Sequence, residues 1–323
     1  MSKKIEDIKF IDILKRSFDI TWKNKPLWWF GLLLALGGGM GNINLGLDEK
    51  NNKVGEKISH FISANFQVFV IGVILGIAIL LILFILSILA RGGLILSLEK
   101  IFKNRTFNFR SGMKEGKNFF ARLFFLYLVL CLLILASLVI LATPIVVLFT
   151  SKAFVSAILL IILAVIIFIP LIIFASYLKT YGEIYIVSAD LNAWSAIEAS
   201  YELFIKNMST SLVMGLLFIP IGILLGLAIL ITIAPLGLAV VFFAFLGKIG
   251  IAIAIILGIV ILLAIVLIQT VFQIFHQTAW LLFFHDIAAP TEEEKVEETI
   301  SEPAREKILP AAGDAVKMME NDK

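Results

Sequence analysis

The stretch IGIAIAIILGIVILLAIVLIQTVFQIFHQTAWLLFFH, residues 249–285, contains no Asp, Glu, Lys or Arg. A bilayer's hydrocarbon core is about 30 Å thick and takes about 20 helical residues to cross, so this run alone is long enough to span it. Five further charge-free runs precede it, over 26–47, 58–90, 123–151, 153–178 and 207–247. In lipid an unpaired backbone N–H or C=O costs several kcal/mol, which leaves helices and closed barrels as the spanning structures. Barrel strands would alternate in polarity, whereas these runs are continuously apolar. The sequence therefore predicts an all-α integral membrane protein with six transmembrane helices. Composition agrees, since 60% of the residues are hydrophobic against roughly half in soluble domains.

Charge orients the predicted spans. With six crossings, segments 1–25, 91–122, 179–206 and 286–323 share one side and hold 22 of the 27 Lys and Arg. Without the C-terminal tail, where acids outnumber bases, the balance is still 17 against five. The positive-inside rule then predicts a multi-pass protein of the cell (cytoplasmic) membrane with both termini in the cytoplasm. Trp22, Trp28, Trp29, Trp194 and Trp280 fall near the same span ends, at the headgroup level that tryptophan favours. The first 25 residues lead into apolar sequence without an A-x-A-like site, so the first span is expected to be retained rather than cleaved as a signal peptide. Cys131 is the only cysteine and is assigned to packing within span 3.

The spans group into repeats. Ahead of span 1, Ile11, Leu14, Phe18 and Trp22 recur at helical spacing with Asp12, Lys15, Arg16, Asp19 and Lys23 on the other side, the pattern of an amphipathic helix lying in a membrane interface. Trp194, Ile197, Tyr201, Phe204 and Met208 repeat it ahead of span 5, opposite Glu198 and Glu202, with Asn192 placed to cap the start. A weaker, more basic copy covers 108–122. Alignment of the three puts Ser17, Gly116 and Ser200 in one column, and Lys23, Arg122 and Lys206 six places later. The expected organisation is three units, each an elbow helix followed by a membrane hairpin. In residues it runs 1–26 elbow, 27–90 hairpin 1, 91–122 basic elbow, 123–178 hairpin 2, 179–210 elbow, 211–285 hairpin 3 and 286–323 an acidic, disordered cytoplasmic tail.

Glycine and proline refine these spans. Gly37, Gly38, Gly39 and Gly41 interrupt span 1. Pro235 is expected to end span 5, because 41 helical residues would reach about 60 Å, twice the core thickness. Pro170 and Pro220 are expected to kink spans 4 and 5. Gly72 with Gly76, Gly222 with Gly226, and Gly250, Ala254 and Gly258 are spaced by four, which predicts close helix contacts.

Reactive chemistry is sparse. His276 and His285 are nine positions apart and fall on opposite helix faces, a poor arrangement for one metal. The glycine run GGGMG lacks a following Lys and Ser or Thr, so it is not a phosphate-binding loop. No catalytic, cofactor-binding or metal-binding set emerges, and no cofactor is expected. One polar stripe stands out in span 6: Gln269, Gln273, His276 and Gln277 share a helix face. Such a stripe either bridges helices through hydrogen bonds, the commoner use of uncharged amides, or lines a water-filled cavity. The basic residues between Arg91 and Arg122 adjoin two spans, and so suit anionic lipid headgroups rather than nucleic acid. The acidic tail could dock a basic protein partner.

The stretches SFDITWKNKPLWWFG, NFRSGMKEGKNFFARL, NAWSAIEASYELFIKN and HQTAWLLFFHD resemble the membrane domain of bacterial glycerophosphoryl diester phosphodiesterases, and equally the uncharacterised stand-alone multi-pass proteins related to it. In those phosphodiesterases the chemistry belongs to a separate soluble barrel whose motifs this chain lacks, so the resemblance implies architecture and not hydrolysis. The expected function is a non-enzymatic inner-membrane scaffold, lipid-interacting module or accessory subunit. The competing expectation is a transporter for a neutral or amphipathic solute.

Overall fold

The computed structural model describes residues 8–38 and 65–288. The remainder of span 1 with Gly39 and Gly41, His60, and the acidic tail lie outside the described residues. In chain order the helices are α1 (Phe10–Lys23), α2 (Trp28–Gly38), α3 (Phe66–Phe102), α4 (Phe109–Gly116), α5 (Phe120–Thr150), α6 (Phe154–Ser188), α7 (Ala193–Lys206), α8 (Met208–Ala244) and α9 (Gly247–Ala288). Strands are absent among the described residues. Five helices are long and apolar enough to cross a membrane: α3, the continuous run Phe109–Thr150 that includes α5, α6, α8, and α9 from Ile249.

The helices pair by contact, α2 with α3, α5 with α6, and α8 with α9. The second members α3, α6 and α9 also touch one another. The three short helices pack around this centre, α4 on α3, α7 on α6 and α1 on α9. Their arrival defines an elbow end of the bundle, and the core lies there. Leu94, Leu98, Tyr181, Ile184, Leu281 and Phe283 are fully buried. At the far end Ile74, Leu81, Ile140, Ile166, Ile231 and Ile256 are all exposed, a surface that only hydrocarbon can solvate at low cost.

Each elbow helix uses small residues to make its contact. On α1 the buried seam is Ile13, Ser17 and Thr21, and on α7 it includes Ala196 and Ser200. The hydroxyls of Ser17 and Ser200 turn back to the carbonyls of Ile13 and Ala196, so neither hydroxyl is left unsatisfied in the seam. On α4 the seam is Gly112 and Gly116. A Cβ added at Gly116 would lie 2.7 Å from the Leu89 carbonyl oxygen, and one at Gly93 would lie 2.8 Å from that of Gly112. The two backbones are in direct contact, which glycine alone permits. The column Ser17, Gly116 and Ser200 is thus buried throughout. The basic column is not uniform: Lys23 pairs with Asp19 on its own helix at 3.6 Å, Arg122 binds Asp190 at 2.5 Å across to the α6–α7 connection, and Lys206 is exposed.

Several expectations are corrected. The charges at Arg91 and Lys179 do not end the helices: α3 continues through Arg91 to Phe102, and α6 continues through Lys179 to Ser188. A charge ends an apolar run without ending a helix when the residues after it are again buried, as 92–95 and 181–184 are. Pro235 does not end α8, which runs on to Ala244. Leaving the helix in an apolar surround would expose several backbone groups, a larger cost than the one bond proline removes. Of the glycines expected at close contacts, Gly72, Gly76, Gly222, Gly226 and Gly258 meet nothing within 4 Å of an added Cβ. They belong to the far halves; Gly250 of the same series does meet a neighbour, the Phe243 carbonyl at the α8–α9 turn, and Ala254 is buried. Cys131 is exposed rather than packed.

Candidate functional site

Two charges that bound sequence runs, Arg91 and Lys179, meet Glu183 at the elbow end. Arg91 of α3 donates from Nη1 to Gln277 Oε1 of α9 at 2.9 Å, and its Nε lies 3.6 Å from Glu183 Oε2 of α6. Tyr127 of α5 donates its hydroxyl to Glu183 Oε1 at 2.8 Å. Lys179, one turn before Glu183, holds its ammonium 4.0 Å from the same oxygen and 5.4 Å from the Tyr127 ring centre. Glu183 is 3% exposed and Arg91 16%, whereas Lys179 is 48% exposed. A carboxylate buried this far needs a counter-charge and hydrogen-bond donors; α3, α5 and α6 supply them through Arg91, Tyr127 and Lys179, and α9 adds the acceptor of Arg91 through Gln277. Arg91 Nε and Gln277 Nε2 are buried without a hydrogen-bond partner, so the cluster is not fully satisfied.

A second knot lies two to three turns further along the same inner helices. Glu99 near the end of α3 accepts from Ser188 Oγ of α6 at 2.8 Å and contacts His285 Nε2 of α9 at 2.8 Å, with Lys103 at 3.7 Å. Tyr181, between Lys179 and Glu183 on α6, donates to Ser211 Oγ of α8 at 2.7 Å. Trp280 packs edge-on against Tyr177, Tyr181 and Phe283.

The polar stripe of span 6 divides between these surroundings. Gln277 is buried against Arg91. His276 accepts the indole N–H of Trp280 at 3.0 Å and packs at a tilt against the Phe218 ring, 4.6 Å between centres. Gln269 and Gln273 are half-buried further along α9. The stripe's last turn therefore bridges helices. His285 faces Glu99, well away from His276, as their spacing implies. Among the described residues no group of three His, Cys, Asp or Glu side chains is placed to hold a metal.

Sequence reasoning took Arg91 only as the edge of a basic segment and passed over Lys179, Glu183 and Glu99, because charges were read as span boundaries; Tyr127 was passed over as one residue of an apolar span. The available signal was the apolar segment that follows each charge: GGLILSL after Arg91 and IYIV after Glu183. Arg91 and Glu183 each have apolar sequence on both sides, and the fold largely buries both.

Beside the Arg91 cluster, α2, α3, α5 and α6 enclose a cavity of about 500 Å³, within the roughly 300–1,000 Å³ of small-molecule sites. Arg91, Lys179 and Tyr127 line one end, and Ile88, Leu130 and Leu138 line its apolar length. Ile88 and Leu130 are buried, whereas Leu135 and Leu138 on the same wall are exposed. The cavity is therefore open toward the surround of the bundle.

Comparison with known proteins adds no relative: no protein-family description, no curated protein and no solved structure matches this chain.

Proposed function

We propose that this chain is a six-span protein of the cytoplasmic membrane, built as three elbow-plus-hairpin units around an axis along the membrane normal, and that it works as a non-enzymatic module that engages lipid in the cytoplasmic leaflet. One observation carries the reading. The elbow helices pack inward through their small residues and leave their apolar stripes outward: Ile11, Phe18 and Trp22 on α1, and Trp194 and Tyr201 on α7, with Met208 just beyond it, are exposed, Trp22 at 57% and Trp194 at 67%. An outward apolar stripe on a helix that already has its packing partner is suited to the headgroup and acyl boundary of a bilayer.

Three further features support the unit reading. Each elbow packs on the second helix of a hairpin, with α1 completing the ring on α9. Gly93, Gly182 and Ala279 stand at matching places on the three inner helices, each with buried neighbours. Six residues beyond them stand Glu99, Ser188 and His285, the three members of the second knot. The positive-inside balance of the sequence puts the elbow end in the cytoplasm. The resemblance to phosphodiesterase membrane domains belongs to this proposal as a matter of architecture alone.

The test has two parts. Reporters fused to each terminus should both report a cytoplasmic location, and opposite locations would rule out six spans. Protein purified in a mild detergent should retain phospholipid measurable by phosphorus assay. A lipid-free chain with no partner, recovered repeatedly, would overturn the lipid-engaging role.

A further inference from the structure

We infer that the cavity between α3, α5 and α6 is a binding site for an anionic phospholipid, with an acyl chain in the apolar length and the phosphate at Lys179 and Arg91. The inference rests on the lipid-engaging reading above and names the ligand and its seat.

Charge comes first. Arg91 and Lys179 both line the end of the cavity, while Glu183, the one carboxylate that faces them among the described residues, already accepts the Tyr127 hydroxyl and stands against Arg91. One positive charge is left over. It falls on Lys179, whose 4.0 Å approach to Glu183 is at the limit of an ion pair and whose side chain is half exposed. An ammonium beside hydrocarbon is strongly stabilised by an anion, and a phosphate oxygen offers a charge-assisted hydrogen bond.

Length comes second. From Tyr127 to Leu138 the α5 wall covers twelve residues, about 16 Å from first to last at 1.5 Å per step, close to half the roughly 30 Å hydrocarbon core. That is the reach of one leaflet's acyl chain. Depth comes third. The apolar parts of α3 and α6 from their far ends to Arg91 and Lys179 are nearly equal, roughly 25 residues each. That is about 37 Å of helix, which places both cations at the headgroup level when the far ends reach the opposite surface.

The sole cysteine gives a direct readout, because Cys131 lines this cavity. In detergent-solubilised full-length protein, dioleoyl phosphatidylglycerol should slow maleimide modification of Cys131 at concentrations about tenfold lower than dioleoyl phosphatidylcholine, a difference of about 1.4 kcal/mol. Lys179→Met should erase that preference, Lys179→Arg should keep it, and Lys152→Met at the other end of the hairpin should leave it unchanged. Glycerol phosphate, a headgroup without chains, should not protect. Equal protection by the two lipids, a preference that survives Lys179→Met, or protection by glycerol phosphate to the same degree would overturn the inference. If phospholipid still co-purifies in that event, the anionic site falls alone; if none does, the lipid-engaging function falls with it.

Discussion

Replacing Glu183 with leucine should remove more stability than any other single polar change in the bundle. Glu183 is 3% exposed, and its Oε2 stands 3.6 Å from Arg91 Nε. At an effective dielectric of about 20, two unit charges at that separation attract by about 4–5 kcal/mol. Leucine would also leave the Tyr127 hydroxyl without its acceptor, at about 1–3 kcal/mol. The Lys179 contact at 4.0 Å involves a half-exposed ammonium and adds under about 1 kcal/mol. Some attraction is recovered as Arg91 relaxes toward solvent, so the expected loss is about 3–5 kcal/mol, the range for stranding one member of a buried pair. The double variant Arg91→Met/Glu183→Leu removes both charges and should recover most of it, because an apolar pair of similar volume can replace a buried ion pair at little cost. Equilibrium unfolding by SDS in mixed micelles, followed by tryptophan fluorescence, measures all three variants. A single-variant cost under about 1 kcal/mol, or a double variant that simply sums the two singles, would refute the reasoning.

Glycine positions should separate cleanly by place: Gly116→Ala forces a Cβ to 2.7 Å from Leu89 O and should cost about 1–3 kcal/mol. Gly72→Ala and Gly76→Ala enter open space and should be neutral or stabilising by up to about 1 kcal/mol; thermal denaturation in detergent reads both. Gln277→Leu removes the acceptor of Arg91 Nη1 and should cost about 1–3 kcal/mol, while Gln273→Leu should cost under about 1 kcal/mol; a larger loss at Gln273 in the same assay would show a partner the bundle does not supply. Ser188→Ala and His285→Ala each take one contact from Glu99 and should be non-additive by at least about 0.5 kcal/mol in a double-mutant cycle, whereas strict additivity would mean that they do not share the carboxylate.

The spans were legible because lipid imposes a simple rule on them: in helices such as α6 and α9, apolar length alone decides the matter. The elbows were legible as amphipathic helices, but not the way they pack. Ile11, Phe18 and Trp22 read as a stripe for the membrane interface and are exposed, but nothing in the sequence marked Ile13, Ser17 and Thr21 as the side of α1 that packs. In water the larger apolar face would turn inward; beside hydrocarbon the two faces exchange roles. The same inversion explains the glycines. Gly72 and Gly222 match the spacing of close helix contacts and make none, whereas Gly93 and Gly182, followed by less conspicuous sequence, carry them. Spacing records which residues share a face, and the choice of face depends on what stands opposite. The Arg91 cluster was hidden for a related reason. Its members come from α3, α5, α6 and α9, and no local window contains two elements of it.

Lipid is as apolar as leucine, so the far halves of the helices gain little by choosing one neighbour over another. Their exposed residues, from Ile74 to Ile256, are in keeping with that indifference. Selection among the many ways of arranging these helices must therefore come from the elbow end, where charges, hydroxyls and glycines accept only one set of partners. Arg91 fits there because Glu183, Tyr127 and Gln277 arrive from three other helices, and Glu99 because Ser188 and His285 do. The residues that set the span boundaries also fix which helices meet. A fold held at one end and loose at the other leaves room between its far halves, and the cavity beside Arg91 is where that looseness begins. The same asymmetry that makes the elbow end specific makes the lipid-facing walls adaptable to an acyl chain.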